Sequence, residues 1–182
     1  LAIEAGVPAG VLNVISSNNY DITDPLLTSD KTKLFTMIGS TRAGVGAMRT
    51  ACTNVKHFSV ELGGNAPVIV YDDADVEKAA TDITNLKFAN TGQVCVSPNR
   101  VFVHKSVYES FLAKAKDIAG GIKLAPGYAE GHTMGPMMSP KERERVIGLV
   151  NDAVADGAVL EMGGKKPEQA GYYLQPTILS NV

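Results

Sequence analysis

Cysteine and histidine are scarce in this chain, whose 182 residues hold two of the first and three of the second. Cys52 and Cys95 make no Cys-x-x-Cys pair, and a domain with this much core material has no need of a disulfide framework. His57, His104 and His132 are scattered without metal-ligand spacing, so no metal site is expected. Charge of one sign is also lacking. Seventeen Lys and Arg against 19 Asp and Glu leave a net −2, which supplies no field for nucleic acid or an anionic membrane. The basic pair Lys165-Lys166 reads as solvated surface. No apolar run approaches the roughly 20 residues of a membrane span. The opening Leu1-Ala2-Ile3-Glu4-Ala5-Gly6 has neither an initiator Met nor a basic stretch. It is therefore no signal peptide, and the protein is expected to begin further upstream. Repeats and low-complexity segments are absent. A reducing, cytoplasmic location is the default expectation.

What is present is material for a buried core: 45% hydrophobic residues and 20% charged ones, enough for one large domain or two small ones. Strand-like and helix-like segments alternate, which predicts an α/β architecture. Strands are predicted at Val11–Ile15, Lys33–Ile38, His57–Leu62, Pro67–Tyr71 and Arg100–Val103, with a helix over Thr41–Thr53. The first three belong to a parallel sheet of nucleotide-binding type. Asp73 or Asp75 caps a helix whose inward positions are Val76, Ala79, Ala80, Ile83 and Leu86. Ser106-Val107-Tyr108-Glu109 reads as a capping box, with Phe111, Leu112, Ala115 and Ile118 inward. Ser139-Pro140-Lys141-Glu142 is another, with proline at the first helical position. Gly63-Gly64-Asn65 breaks the pattern and is the expected domain hinge.

Three places carry chemistry. Cys95 follows a helix in a glycine-started segment, Gly92-Gln93-Val94-Cys95. It is either a nucleophile or a buried structural cysteine. Cys52, among small helical residues, fits the structural role better. Glu61 ends a β-branched strand before two glycines, as a general base at a cleft would, or as an ordinary exposed strand-end residue would. Gly39-Ser40-Thr41-Arg42-Ala43-Gly44 joins a strand to a helix. It suits a phosphate at the helix N-terminus, or is a plain capped helix start.

Family resemblance adds what spacing leaves open. Glu61-Leu62-Gly63-Gly64-Asn65-Ala66-Pro67 and Gly92-Gln93-Val94-Cys95, with Cys95 34 residues after Glu61, resemble the two signature motifs of the aldehyde dehydrogenase superfamily. Further stretches match in order: Gly6–Val14, Gly39-Ser40-Thr41, Asp72-Asp73-Ala74-Asp75, Gly135-Pro136 and Gly171–Thr177. The resemblance covers essentially the whole chain. It implies the end of a Rossmann-type cofactor-binding domain over 1–63, followed by part of an α/β catalytic domain over 64–182. It implies NAD or NADP as cofactor, a small-molecule aldehyde as substrate, and a homodimer or homotetramer for the whole enzyme. No nucleic acid or membrane partner is implied.

By the same resemblance, Cys95 is the nucleophile that forms a hemithioacetal and then a thioester, its backbone N–H serving the oxyanion. Glu61 activates the hydrolytic water, which favours acid formation over transfer to coenzyme A. Ser40 bonds the cofactor pyrophosphate, Gly39 permits its approach, and Leu62 and Gly63 lie near the nicotinamide. The usual Phe-Thr-Gly-Ser turn reads Met37-Ile38-Gly39-Ser40 here. Members specific for succinate semialdehyde often carry arginine where this chain has Ala89, so that substrate is disfavoured. Arg100 heads a strand and reads as structural. The family's oxyanion asparagine and ribose-binding lysine are expected upstream of Leu1, and its ribose-binding glutamate downstream of Val182. An internal fragment, inactive by itself, is the expectation; an inert structural protein or a coenzyme A-acylating enzyme are the alternatives.

Overall fold

Leu34-Phe35-Thr36-Met37-Ile38 and His57-Phe58-Ser59-Val60-Glu61 are rich in branched and aromatic residues, and they pair side by side as parallel strands. In the computed structural model, which describes residues 1–17, 19 and 21–182, these are β1 (Leu34–Ile38) and β2 (His57–Glu61). Phe35 faces Phe58 across the ladder, and their rings meet edge to face at 6.2 Å. A parallel pair needs a crossover. It is supplied by helix α2 (Thr41–Ala51), which starts at the N-cap Ser40. A short helix, α1 (Thr23–Thr28), precedes β1 and packs on α2. No capping or periodicity signal marks it in the sequence.

The described residues divide into two compact units, Leu1–Leu62 and Gly63–Val182. The second opens with another parallel pair, β3 (Pro67–Val70) and β4 (Arg100–Val103), joined by α3 (Val76–Phe88). Asp75 caps α3, its carboxylate accepting from the Lys78 N–H at 3.0 Å. Helix α4 (Tyr108–Gly120) packs on α3. Val70, Ala80, Phe111 and Ala115 form the buried core between these elements. Helix α5 (Pro140–Ala155) starts on Ser139, whose hydroxyl accepts from the Glu142 N–H, with Pro140 in its first turn. An antiparallel pair closes the unit, β5 (Val159–Met162) with β6 (Ile178–Ser180). Glu161 ties it to α4. Its carboxylate meets the Lys116 ammonium at 2.7 Å and the Ser180 hydroxyl at 2.8 Å, and the Lys116 bond, followed by that of Ser180, holds it below the usual carboxylate range.

The α/β class and most elements lie where the sequence places them, and four local readings are corrected. Val11–Ile15 is no strand: no described residue offers it a ladder, and Val11, Leu12, Val14 and Ile15 are all exposed. Ser106 does not cap α4. The helix begins at Tyr108 behind Val107, and the Ser106 hydroxyl instead bonds His104 Nδ1 at 2.8 Å, because a nearer partner competes for it. Leu86 lies 45% exposed, whereas Thr84 is buried, since Ala80 and Thr84 one turn apart define the inward stripe of α3. Cys52 is exposed at the C-terminal end of α2 rather than buried within it. β5 and β6 carried no clear sequence signal.

Candidate active-site residues

In the first unit, β1 runs into Gly39 and Ser40. The Gly39 N–H donates to the Glu61 carbonyl at 3.0 Å and so carries the β1–β2 ladder one step beyond the strand. Ser40 sits in relaxed extended backbone, φ −75° and ψ 150°. Its hydroxyl oxygen accepts from the Ala43 N–H at 3.1 Å, and its carbonyl from the Gly44 N–H at 2.9 Å. The hydroxyl proton remains available to an acceptor outside the helix. The Thr41 and Arg42 N–H groups have no partner among the described residues, as expected for a first helical turn. One free hydroxyl proton and two free amides at a positive helix end fit an anionic group such as a diphosphate.

The Glu61 side chain is exposed at the end of β2, and Leu62 is partly buried after it. Gly44 packs against Leu62: a Cβ at Gly44 would stand 2.6 Å from a Leu62 methyl and would displace that side chain. The first unit thus brings together Gly39, Ser40, Glu61 and Leu62.

In the second unit, Cys95 lies exposed in an irregular loop between α3 and β4. The chain leaves α3 and turns through three consecutive left-handed residues, Asn90 (φ 48°), Thr91 (φ 60°) and Gly92 (φ 71°). Glycine adopts this region freely and asparagine tolerates it, but a β-branched threonine there is an outlier. Such a residue costs on the order of 1–3 kcal/mol and persists only where its surroundings hold it. The Thr91 hydroxyl donates to the Gly135 carbonyl at 3.0 Å, and the Gln93 carboxamide accepts from the Met138 N–H at 2.8 Å. Behind Cys95 the Ser97 N–H returns to the Val94 carbonyl at 3.1 Å, closing a tight turn.

Lys87 secures the root of the loop. Its ammonium donates to Asn99 Oδ1 at 2.7 Å, and burial pushes it below its ordinary value. Gly64 touches the loop directly: a Cβ there would lie 2.6 Å from the Cys95 carbonyl oxygen. Gly63, its neighbour, is exposed.

Sequence reasoning left out Gly64 as a contact of Cys95, and Thr91, Gln93 and Met138 as its supports. The adjacent glycines of Gly63-Gly64 carried the only signal, and they read equally as a hinge. Ala89 is exposed at the start of the loop. The Arg100 guanidinium lies 5.6 Å from the centroid of the Phe102 ring, a cation–π contact on its own strand. A cavity of about 680 Å3 between α3, β4, α4 and residues 177–182 is not lined by Cys95. Among the described residues no three His, Cys, Asp or Glu side chains gather as metal ligands, and no helix is long and apolar enough to cross a membrane.

Comparison with known proteins agrees with the motifs. A mitochondrial aldehyde dehydrogenase of Leishmania tarentolae is 40% identical over 183 residues, covering 100% of this chain and 37% of that protein. A mitochondrial succinate-semialdehyde dehydrogenase of Arabidopsis thaliana is 40% identical over 182 residues, covering 100% of this chain and 34% of that protein. The crystal structure of an E. coli NADP-dependent enzyme superposes with a TM-score of 0.96 at 39% identity, over 100% of this chain and 38% of that one. The chain therefore spans little more than a third of the length of these relatives. The model of the aldehyde dehydrogenase family matches residues 1–182 without a gap at either end, and the chain belongs to that family.

Proposed function

We propose that this chain carries the nucleophile and the general base of an enzyme that oxidises an aldehyde to a carboxylic acid with NAD or NADP. The observation that carries the reading is an exposed cysteine on a strained, multiply anchored loop, in a chain matched throughout by the aldehyde dehydrogenase family. Residues 1–63 contribute to cofactor binding and residues 64–182 to the catalytic domain.

The Cys95 thiolate adds to the aldehyde carbon, and the resulting oxyanion accepts a hydrogen bond from the Cys95 backbone N–H. The bound nicotinamide supplies the hydride acceptor. Loss of hydride from the hemithioacetal carbon leaves an acyl thioester on Cys95. Glu61 then takes a proton from water as that water attacks the thioester carbonyl, and the acid departs with the thiolate as leaving group. Ser40 and the free amides of Thr41 and Arg42 hold the cofactor diphosphate, with Gly39 leaving room for it. Leu62 and Gly63 flank the nicotinamide.

Glu61→Gln in the full-length enzyme tests this order of steps. Hydrolysis should slow by roughly 10²- to 10⁴-fold, so that a burst of reduced cofactor precedes slow turnover. Loss of the burst together with turnover would overturn the assignment of Glu61 to hydrolysis.

We further propose that Ala89 disfavours a substrate with a distal carboxylate, although several relatives, the Arabidopsis one among them, are named for succinate semialdehyde. Ala89 offers no cation, and Arg100 is engaged on Phe102. Propanal should outcompete succinate semialdehyde in kcat/KM, and Ala89→Arg should narrow or reverse that ratio. A native preference for succinate semialdehyde contradicts the reading.

A further inference from the structure

The motifs around Gly135-Pro136 and Gly171–Thr177 have no chemical role in the scheme above, yet the segment at Gly135 meets the Cys95 loop, and the backbone at Tyr172 meets that segment. Thr91 Oγ1 donates to the Gly135 carbonyl at 3.0 Å. Gln93 Oε1 accepts from the Met138 N–H at 2.8 Å. The Met137 N–H in turn donates to the Tyr172 carbonyl at 2.9 Å, and the Met134, Met137 and Tyr173 side chains are buried. The segment to which the loop is fastened is therefore itself fastened to the core.

Gln93 also closes the loop on itself. Its Nε2 and its own N–H both donate to the Asn90 carbonyl at 3.1 Å, while Asn90 Nδ2 donates to the Gln93 carbonyl at 3.1 Å. This ring of bonds encloses the left-handed residues Asn90, Thr91 and Gly92, the last of them three positions before Cys95. One carboxamide thus uses its acceptor on the distant segment and its donor on the strained turn. No other residue type of that length offers both roles without charge.

We propose that Gln93, assisted by Thr91, is a positioning residue that clamps the Cys95 turn onto the Gly135–Met138 segment and so fixes the nucleophile and its backbone N–H. The clamp rests on the reading of Cys95 as nucleophile. A misplacement of about 1 Å can cost roughly 10²-fold in rate, so the clamp acts on the chemical step and leaves aldehyde binding largely alone.

The test uses the full-length enzyme. Gln93→Ala should lower kcat by about 10- to 100-fold with KM for the aldehyde changed by less than about threefold. Gln93→Glu keeps the acceptor for Met138 and loses the donor to Asn90, so it should fall between Gln93→Ala and the parent. Thr91→Val should lose activity and Thr91→Ser recover most of it. Hydrogen exchange at the Met138 amide should quicken in Gln93→Ala at unchanged Tm, a readout that a general loss of folding would not give. An unchanged kcat in Gln93→Ala, or a loss that tracks Tm across all four variants, overturns the clamp. Cys95→Ser keeps the two readings apart: activity surviving in it sinks the nucleophile, whereas an inert Cys95→Ser beside a fully active Gln93→Ala sinks the clamp alone.

Discussion

The Gly39–Ser40 turn and the Asn90–Cys95 loop both follow a regular element of a parallel β-α-β unit, yet they are built by opposite means. The first needs only its neighbours. Ser40 holds relaxed extended backbone and caps α2 through a residue three positions on. The second holds three left-handed residues in a row and depends on partners 44 and 45 positions away. The cofactor cradle proposed at the start of α2 can be specified locally, because a helix end always provides free amides. The nucleophile proposed at Cys95 sits beside a backbone that would otherwise relax, and distant residues hold it.

Two glycines sharpen the contrast, and they give the largest expected effect. A Cβ at Gly44 and one at Gly64 would each meet an atom at 2.6 Å. At Gly44 that atom is a Leu62 methyl, which can rotate away. At Gly64 it is the Cys95 carbonyl oxygen, which can move only if the loop moves. Gly64→Ala should therefore cost about 1–3 kcal/mol of stability and roughly 10²-fold in kcat. Gly44→Ala should cost several times less in both. Equal losses in thermal unfolding and turnover would break the distinction between a yielding side chain and an unyielding backbone.

A smaller effect is expected at Ser40, where capping and cofactor binding separate. Ser40→Ala removes the cap and should cost about 1 kcal/mol, with a rise in KM for the cofactor. Ser40→Asp keeps a capping oxygen, and should preserve stability while raising that KM further, since a carboxylate repels a diphosphate and has no proton to donate. A Ser40→Asp enzyme with unaltered KM for the cofactor would leave Ser40 as a cap and nothing more.

The same contrast explains what was legible in the sequence. β1, β2, β3, β4 and the helix starts at Ser40, Asp75 and Ser139 follow from alternation and capping, rules that operate within a few residues. The α4 start departs from the capping pattern because His104 competes for the Ser106 hydroxyl, a choice between two local partners that the pattern does not encode. Val11–Ile15 forms no strand here because a branched run becomes a strand only beside another strand. Cys95 stood out through its motif, whereas its supports did not. Nothing in Gly92-Gln93-Val94-Cys95 states that Gln93 reaches Met138 or that Gly64 lies against the Cys95 carbonyl. Those contacts exist only once the chain has folded.

The exposed Cys52 turns the sequence's other cysteine from a buried bystander into an internal control. Both thiols are open to solvent in this chain, and the nucleophile is expected to be the one with the greater thiolate character. Brief iodoacetamide treatment of the full-length enzyme, followed by mass-spectrometric mapping, compares them within one sample. The account predicts that Cys95 is alkylated well before Cys52 and that activity falls in step with Cys95 labelling. Labelling of Cys52 as fast as or faster than Cys95, or full activity after Cys95 is modified, would contradict it.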